Sequence, residues 1–453
     1  MKRANIILLT IDTLRADALG CYGNDAGLTP NIDIMAKEAW LFESAFANGD
    51  HTKPSFPALM TSTYGSMYTG CLGPLSPRRL TLAEVLQEAG YTTAGVTTSP
   101  LLGRSHHYHR GFDHFIELSP PDFGASWFQL KGAQRLLASN TLQTLMVRLG
   151  LDSRPPPVYA SAAVVNDAIY GVLEKLSEPF FLWAHYMDPH WPFHLEAQLD
   201  NARQRSMAWQ DRVKVHQVVD KKSGPSPADV SHWRELYNRA VSYLDSQLGQ
   251  LMDKLRERAP MDRTAVILTA DHGEEFMEHG GFGHVNHNLY DECLRVPWLI
   301  AWPDQPGLRR DNRLVSLLDL APTVAAMCDA TGAPNWLGRP LGQVEGELDS
   351  QDWIERPVIS ETWWERWLAV SVRSSQHKLI WRAGNPDRPE VYHLRTDAGE
   401  QKNVFGHDTA VDHRLLSEVH RHMEWAATTQ TDPTTVETDE TVQQRLRDLG
   451  YLE

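Results

Sequence analysis

Ile6-Ile7-Leu8-Leu9-Thr10-Ile11 is apolar but for one threonine and ends on a carboxylate, Asp12. A short run rich in Ile and Leu, without the alternation of a half-buried strand, is how a strand covered on both faces of a parallel sheet reads. Asp12 then stands at its C-terminal end, where ligands of open α/β sheets bind. Outward from this stretch the chain alternates strand and helix. Thr81 to Ala89 reads as a helix, with Leu82, Val85, Leu86 and Ala89 on one face, a Thr81/Glu84 capping box and Gly90 as its stop. Tyr91 to Thr97 and Phe180 to Tyr186 read as strands, and Ser161 to Leu176 as a helix. Asp229 to Leu255 reads as a long helix whose apolar stripe is Tyr237, Val241, Leu244, Leu248, Leu251 and Leu255, and Thr264 to Thr269 as the strand after it. The expected fold class is α/β, a large and mostly parallel sheet sandwiched by helices.

Residues 118–158, with Pro155-Pro156-Pro157, and residues 195–227 are less regular and are expected to wall a substrate cleft. After Pro306 come a helix around Leu317 to Cys328, short strands at Val358 to Glu361, Leu368 to Val372, Lys378 to Trp381 and Val391 to Leu394, and a helix at His413 to Ala426. This divides the chain into a catalytic domain, 1–335, and a small C-terminal α+β subdomain with an antiparallel sheet and a tail, 336–453. Thr428 to Thr441 is rich in Thr and acids and reads as a loop or strap.

The 453 residues carry 43 Lys+Arg against 58 Asp+Glu, a net charge of −15. That balance argues against nucleic acid or an anionic membrane as partner, since both are bound through Lys and Arg. The basic start Met1-Lys2-Arg3 followed by an apolar run imitates a signal peptide only until Asp12, and no stretch has about 18 consecutive apolar residues. Cys21, Cys71, Cys293 and Cys328 show no C-x-x-C spacing. A reduced, cytoplasmic setting is expected.

Three segments carry chemistry. Asp12, directly after a buried run, must be solvated, hydrogen-bonded or metal-bound; capping the segment from Thr13 is its plainer role. Thr269-Ala270-Asp271-His272-Gly273-Glu274 sets a carboxylate and an imidazole at another strand end, a pair of metal ligands or else a polar turn. Asp50-His51-Thr52-Lys53-Pro54-Ser55 sets a hydroxyl just before a short helix, where it serves as a nucleophile or as an ordinary N-cap.

Taken in order, Asn5 through Asp12 to Gly23, Thr52-Lys-Pro-Ser-Phe-Pro-Ala-Leu-Met-Thr61, Asp188-Pro-His190, Asp271-His-Gly-Glu274 and Tyr290-Asp-Glu-Cys-Leu-Arg-Val-Pro297 resemble the sulfatase family of the alkaline phosphatase superfamily. Asp319-Leu-Ala-Pro-Thr323, Glu390-Val-Tyr-His-Leu394 and Arg445-Leu-Arg-Asp-Leu-Gly-Tyr451 extend the resemblance over nearly the whole chain. It implies a hydrolase of phosphate, phosphonate or sulfate esters, with a divalent metal held by Asp12, Asp271, His272 and the nucleophile. His190 and His287 would then place the oxyanion or leaving group. Thr13 stands where many sulfatases have a second aspartate, which favours manganese or zinc over calcium. Asp188, His194 and His284 supply the set for a second metal or for oxyanion binding, with one metal site as the primary expectation, and Arg15 and Lys53 are candidate substrate-binding cations.

The departure is at the nucleophile. Sulfatases carry a Cys or Ser, oxidised to formylglycine, in a Cys-x-Pro-Ser-Arg type motif. Here Thr52 takes that place, with Phe56 where Arg is expected; the alternative frame, starting at Ser55, also lacks the Arg. Thr cannot become formylglycine, so the expected substrate is a small anionic phosphoester or phosphonate ester. A sulfatase without formylglycine, a group transferase and a catalytically idle relative are the rivals. The family's Lys-Trp-His stretch is replaced by Val96-Thr97-Thr98-Ser99-Pro100, with His106, His107 and His109 nearby. His185, inside a strand, reads as a core residue facing a helix.

Overall fold

A computed structural model describes residues 3–68, 73–119, 133–193, 199–219, 224–284, 288–303, 307–342, 356–363, 367–429 and 443. Its strands, in chain order, are β1 (Asn5–Ile11), β2 (Ala39–Phe46), β3 (Thr92–Thr97), β4 (His114–Glu117), β5 (Phe180–Tyr186), β6 (Thr264–Ala270), β7 (Glu275–Phe276), β8 (Phe282–Gly283), β9 (Trp298–Ala301) and β10 (Arg309–Ser316). β11 (Val358–Trp363), β12 (Trp367–Arg373), β13 (His377–Arg382) and β14 (Glu390–His393) follow. Eight strands form one sheet in the order β10-β2-β9-β6-β1-β5-β3-β4. β9 is antiparallel to both its neighbours, and every other pairing in the sheet is parallel.

β1, β5 and β6 are buried along their whole length, which explains why they read as continuous apolar runs. The Thr81/Glu84 capping box is made in both directions on the helix Leu82–Glu88. The helix Pro227–Arg258 buries the full stripe from Tyr237 to Leu255. Two stretches that read as less regular carry helices. Residues 118–158 and 195–227 include regular structure, the helices Ala133–Leu137, Asn140–Arg148 and Ala202–Val219. These pack through a small cluster around Leu137 and Trp209, beside a buried Gln143–Ser153 hydrogen bond, so they display no long apolar stripe. β10 was not legible either, because its exposed edge residues Arg309 and Arg310 hide the strand. Among the described residues, no helix is long and apolar enough to cross a membrane.

β11 to β14 form a separate antiparallel sheet in sequence order. The helix Thr409–Thr429 covers it, with Leu415 and Val419 on Val370, Val372, Leu379 and Val391. Buried charge joins this sheet to the large one. Lys378 is fully buried and pairs with Asp291 at 2.9 Å and Glu400 at 2.7 Å. His279 follows β7, stacks on Tyr290 with ring centroids 3.6 Å apart, and donates to Glu292 at 2.6 Å and to the Glu400 carbonyl at 3.1 Å. Burial opposes its charge, but these partners outweigh burial and raise its pKa from 6.5 to about 9. Its contribution to stability is therefore complete below pH 6.5 and lost as the pH rises through 9. In urea denaturation, the stability gap between the parent and His279→Gln should be wider at pH 6 than at pH 8 and close above pH 9.

Candidate active site

The register of β1 and β6 builds the centre of the site. Ile11 pairs with Ala270 in parallel, so the residues that follow, Asp12 and Asp271, leave the sheet side by side. Both are fully buried, as is His272. His272 Nε2 lies 3.4 Å from Asp12 Oδ1 and 3.6 Å from Asp271 Oδ2. One ligand atom from each of the three falls within 4.8 Å of the others. Asp12 Oδ1, Asp271 Oδ2 and His272 Nε2 have no hydrogen-bond partner among the described residues. His272 Nδ1 donates to the Gly273 carbonyl at 2.8 Å, which leaves the lone pair on Nε2, turned to the carboxylates.

These are three buried donors with a shared focus, of the oxygen and imidazole types that hold a divalent cation, so the residues fit a metal. Electrostatics agrees. Burial and the facing Asp12 push Asp271 well above the usual carboxylate range. Burial also acts to raise Asp12, but the facing imidazoles of His185, His190 and His272 outweigh it and hold Asp12 below that range. Two like carboxyls cannot both ionise here without a cation between them.

Thr52 is fully buried and opens the helix Thr52–Thr61. Its Oγ1 lies 3.4 Å from Asp12 Oδ2. Ser55 Oγ donates to the Asp271 carbonyl at 2.5 Å, which ties the same helix to β6. Before the helix, His51 Nδ1 bonds Asp50 Oδ1 at 2.8 Å. His284 sits between two other imidazoles, with ring centroids 4.7 Å from His272 and 5.0 Å from His190. Burial lowers His190 to about 4 and His284 to about 3, so both are neutral at pH 7. His190 Nδ1 donates to the Trp191 carbonyl at 2.6 Å. Glu274 is buried, raised by that burial to about 7, and accepts from His284 Nδ1 at 2.9 Å.

A pair of carboxylates, an imidazole and a hydroxyl at the carboxyl ends of parallel strands is the setting of metal-assisted ester hydrolysis. The sulfatase family model matches residues 4–330, and a model described as N-sulphoglucosamine sulphohydrolase, C-terminal, matches residues 277–428. The chain belongs to the sulfatase family. Members similar to it include an uncharacterized sulfatase, YidJ, of Escherichia coli, 27% identical over 73% of this chain and 68% of that one. N-acetylglucosamine-6-O-sulfatase of Bacteroides thetaiotaomicron is 24% identical over 89% of this chain and 83% of its own. Among solved structures, the phosphonate monoester hydrolase of Agrobacterium radiobacter superposes with a TM-score of 0.68 at 19% identity, covering 94% of this chain and 96% of that one. This sulfatase-family protein is an ester hydrolase with the alkaline phosphatase fold.

Asp12, Thr52, Asp271 and His272 come together, and His190 and His284 extend the same cluster through their rings. His194 and His287 lie outside the described residues. Asp188 Oδ1 accepts from the Ala162 N–H at 2.9 Å, at the start of the helix Ala162–Leu173, and burial raises Asp188 to about 7. Arg15 bonds Asp17, Glu278 at 2.6 Å and the Glu274 carbonyl at 2.8 Å, so its charge is engaged by acids. Lys53 lines a small cavity with Thr52, His106 and Tyr108. Phe56, where the family has Arg, is buried against Tyr108, Trp183 and His185, so this position offers packing and no charge.

Sequence reasoning missed part of His185's role. It packs on the Thr52 helix through Phe56, as expected of a core residue, but its Nε2 also stands 3.6 Å from Asp12 Oδ2. The polar Thr10, which bonds His185 Nδ1 at 3.0 Å, was the available signal. Of His106, His107 and His109, the three candidates to stand in for the missing Lys-Trp-His stretch, His106 is the buried one. It lines the Thr52 cavity and is lowered to about 4, chiefly by that burial. In thermal denaturation, manganese or zinc at 100 times its Kd should add about 2.7 kcal/mol of stability. Asp271→Asn should abolish that gain, and acidification should weaken it, because a carboxyl with a raised pKa holds its proton against the cation to higher pH.

Proposed function

We propose that this sulfatase-family hydrolase cleaves a phosphate or phosphonate ester of a small anionic substrate, with Thr52 as nucleophile. The observation that carries the reading is the threonine itself, buried at a helix start with its hydroxyl 3.4 Å from Asp12. Formylglycine releases sulfate by eliminating it from a hemiacetal, and a sulfothreonine, a sulfate ester with no second hydroxyl on the same carbon, has no such exit. A phosphothreonine can be hydrolysed by water, so phosphorus suits this residue better than sulfur. Ser55 is the weaker candidate, since its hydroxyl is bonded to the Asp271 carbonyl.

Thr52 Oγ1 attacks phosphorus and gives up its proton; the P–O bond to the alcohol breaks, and the alcohol leaves protonated. Water then attacks the phosphothreonine, releases phosphate or phosphonate and restores the hydroxyl. His190 and His287 place the oxyanion and the leaving group, with His287 as the acid. Lys53, from the cavity it shares with Thr52, adds positive charge toward the substrate. A divalent cation held by Asp12, Asp271, His272 and Thr52 would supply Lewis-acid stabilisation of the charge on the nucleophile and phosphoryl oxygens. Manganese or zinc is favoured over calcium, because Thr13 contributes no carboxylate. Thr13 sits at φ 57° and its Oγ1 has no partner among the described residues, a conformation a β-branched residue rarely takes. The A. radiobacter neighbour, named a phosphonate monoester hydrolase, supports a phosphorus ester as the substrate.

Sulfate ester hydrolysis is the second reading, favoured by the names of the curated relatives. An assay of aryl phosphate, phosphate diester, phosphonate ester and sulfate ester, each with manganese, zinc or calcium, separates the two. Phosphorus ester turnover is expected, together with at least about a thousandfold loss in Thr52→Ala, while the thermal shift with metal persists. An active Thr52→Ala enzyme, or turnover of the sulfate ester alone, would sink the proposal.

A further inference from the structure

β11, from the C-terminal sheet, lies along the segment that leads into the Thr52 helix. Ser360 Oγ donates to the Ala47 carbonyl at 2.6 Å, and Asn48 Nδ2 donates to the Ile359 carbonyl at 2.8 Å. The Glu361 N–H donates to the Asn48 carbonyl at 3.0 Å. Thr362 Oγ1 then donates to Asp50 Oδ1 at 2.7 Å, the same oxygen that receives His51 Nδ1 at 2.8 Å. The strand also holds the chain beyond the helix. Glu361 accepts from the Ser66 N–H at 2.6 Å and Ser66 Oγ at 2.9 Å, and from His422 Nε2 at 2.7 Å. Asp50, Glu361 and Thr362 are fully buried, and His51 nearly so.

We propose that Thr362 is a positioning residue for the reaction, acting through Asp50 to fix the ring of His51 beside Thr52. The inference rests on the reading of Thr52 as nucleophile. A carboxylate that receives a hydroxyl and an imidazole N–H on one oxygen cannot rotate without losing both bonds. While it stays, it keeps the proton on His51 Nδ1 and sets the plane of the ring, as outer partners do for histidines at reacting centres. His51 directly precedes Thr52, whose hydroxyl stands 3.4 Å from Asp12 Oδ2. His51 is also the N-cap of the Thr52 helix, and its carbonyl accepts from the Ser55 N–H at 3.2 Å. A tilt of the ring therefore acts where the nucleophile begins. The backbone bonds of β11 to Asn48 do not involve the Thr362 hydroxyl, so positioning can be removed while the strand contact stays.

The test compares Thr362→Val, which keeps the shape and loses the hydroxyl, with Thr362→Ser, which keeps the hydroxyl. With whichever ester the parent hydrolyses, Thr362→Val should lower kcat roughly ten- to a hundredfold at unchanged KM, and Thr362→Ser should restore it. The proton resonance of His51 Nδ1–H, identified by its loss in His51→Gln, should move in Thr362→Val and return in Thr362→Ser, whatever the substrate. A parental kcat in Thr362→Val, a Ser variant as impaired as the Val variant, or an unmoved His51 resonance would each overturn the proposal. Failure of the Thr52 reading shows separately, as an active Thr52→Ala enzyme whose His51 resonance still answers to Thr362.

Discussion

Two buried carboxylates face each other at the ends of adjacent parallel strands, and the rest of the site answers to that repulsion. Asp12 and Asp271 are placed by the Ile11–Ala270 register, which the apolar runs of β1 and β6 fix from both faces. Burying one uncompensated carboxylate costs several kcal/mol, and two in contact cost more. The surroundings offset only part of it: His185, His190 and His272 favour charge on Asp12, and Asp271 is left to hold a proton or meet a cation. A centre that is strained when empty and relaxed when loaded is a sound basis for metal-dependent chemistry.

The surroundings of Thr52 depart from the family pattern quoted from its sequence at one position. An arginine beside the nucleophile would bring fixed positive charge, but Phe56 fills that position with aromatic packing on Tyr108 and Trp183. Arg15 is engaged by Asp17 and Glu278. Lys53 and the buried Arg79 line the small cavity beside Thr52, with the Arg79 guanidinium donating to the Tyr64, Gly65 and Met67 carbonyls.

Much of the fold was legible because its central strands are buried on both faces and so announce themselves as apolar runs. The capping box at Thr81 and the stripe from Tyr237 to Leu255 were legible for the same reason, as local patterns with one physical cause. The helices at 133–148 and 202–219 were not, since Leu137 and Trp209 make their packing from isolated residues. In the site, Asp12, Thr52, Asp271 and His272 could be read from strand ends and motif order. His185 could not, because its meaning depends on β5 lying next to β1, and strand order is a property of the whole chain. Thr362 gave no signal at all: an ordinary threonine in a short strand becomes informative only when Asp50 is found opposite it.

The contact between β11 and the approach to Thr52 also has a temporal side. Asn48 and Ile359, joined by a hydrogen bond, are 311 residues apart in sequence. Chains emerge from the ribosome N-terminus first, so the strands bearing Asp12 and Asp271 are available long before the strand that seats the segment ahead of the nucleophile. Closing so long a loop is also slow. A nascent chain of this protein can bring Asp12 and Asp271 together while the segment ahead of Thr52 is still unseated, and that seating comes late, once β11 has found Asn48.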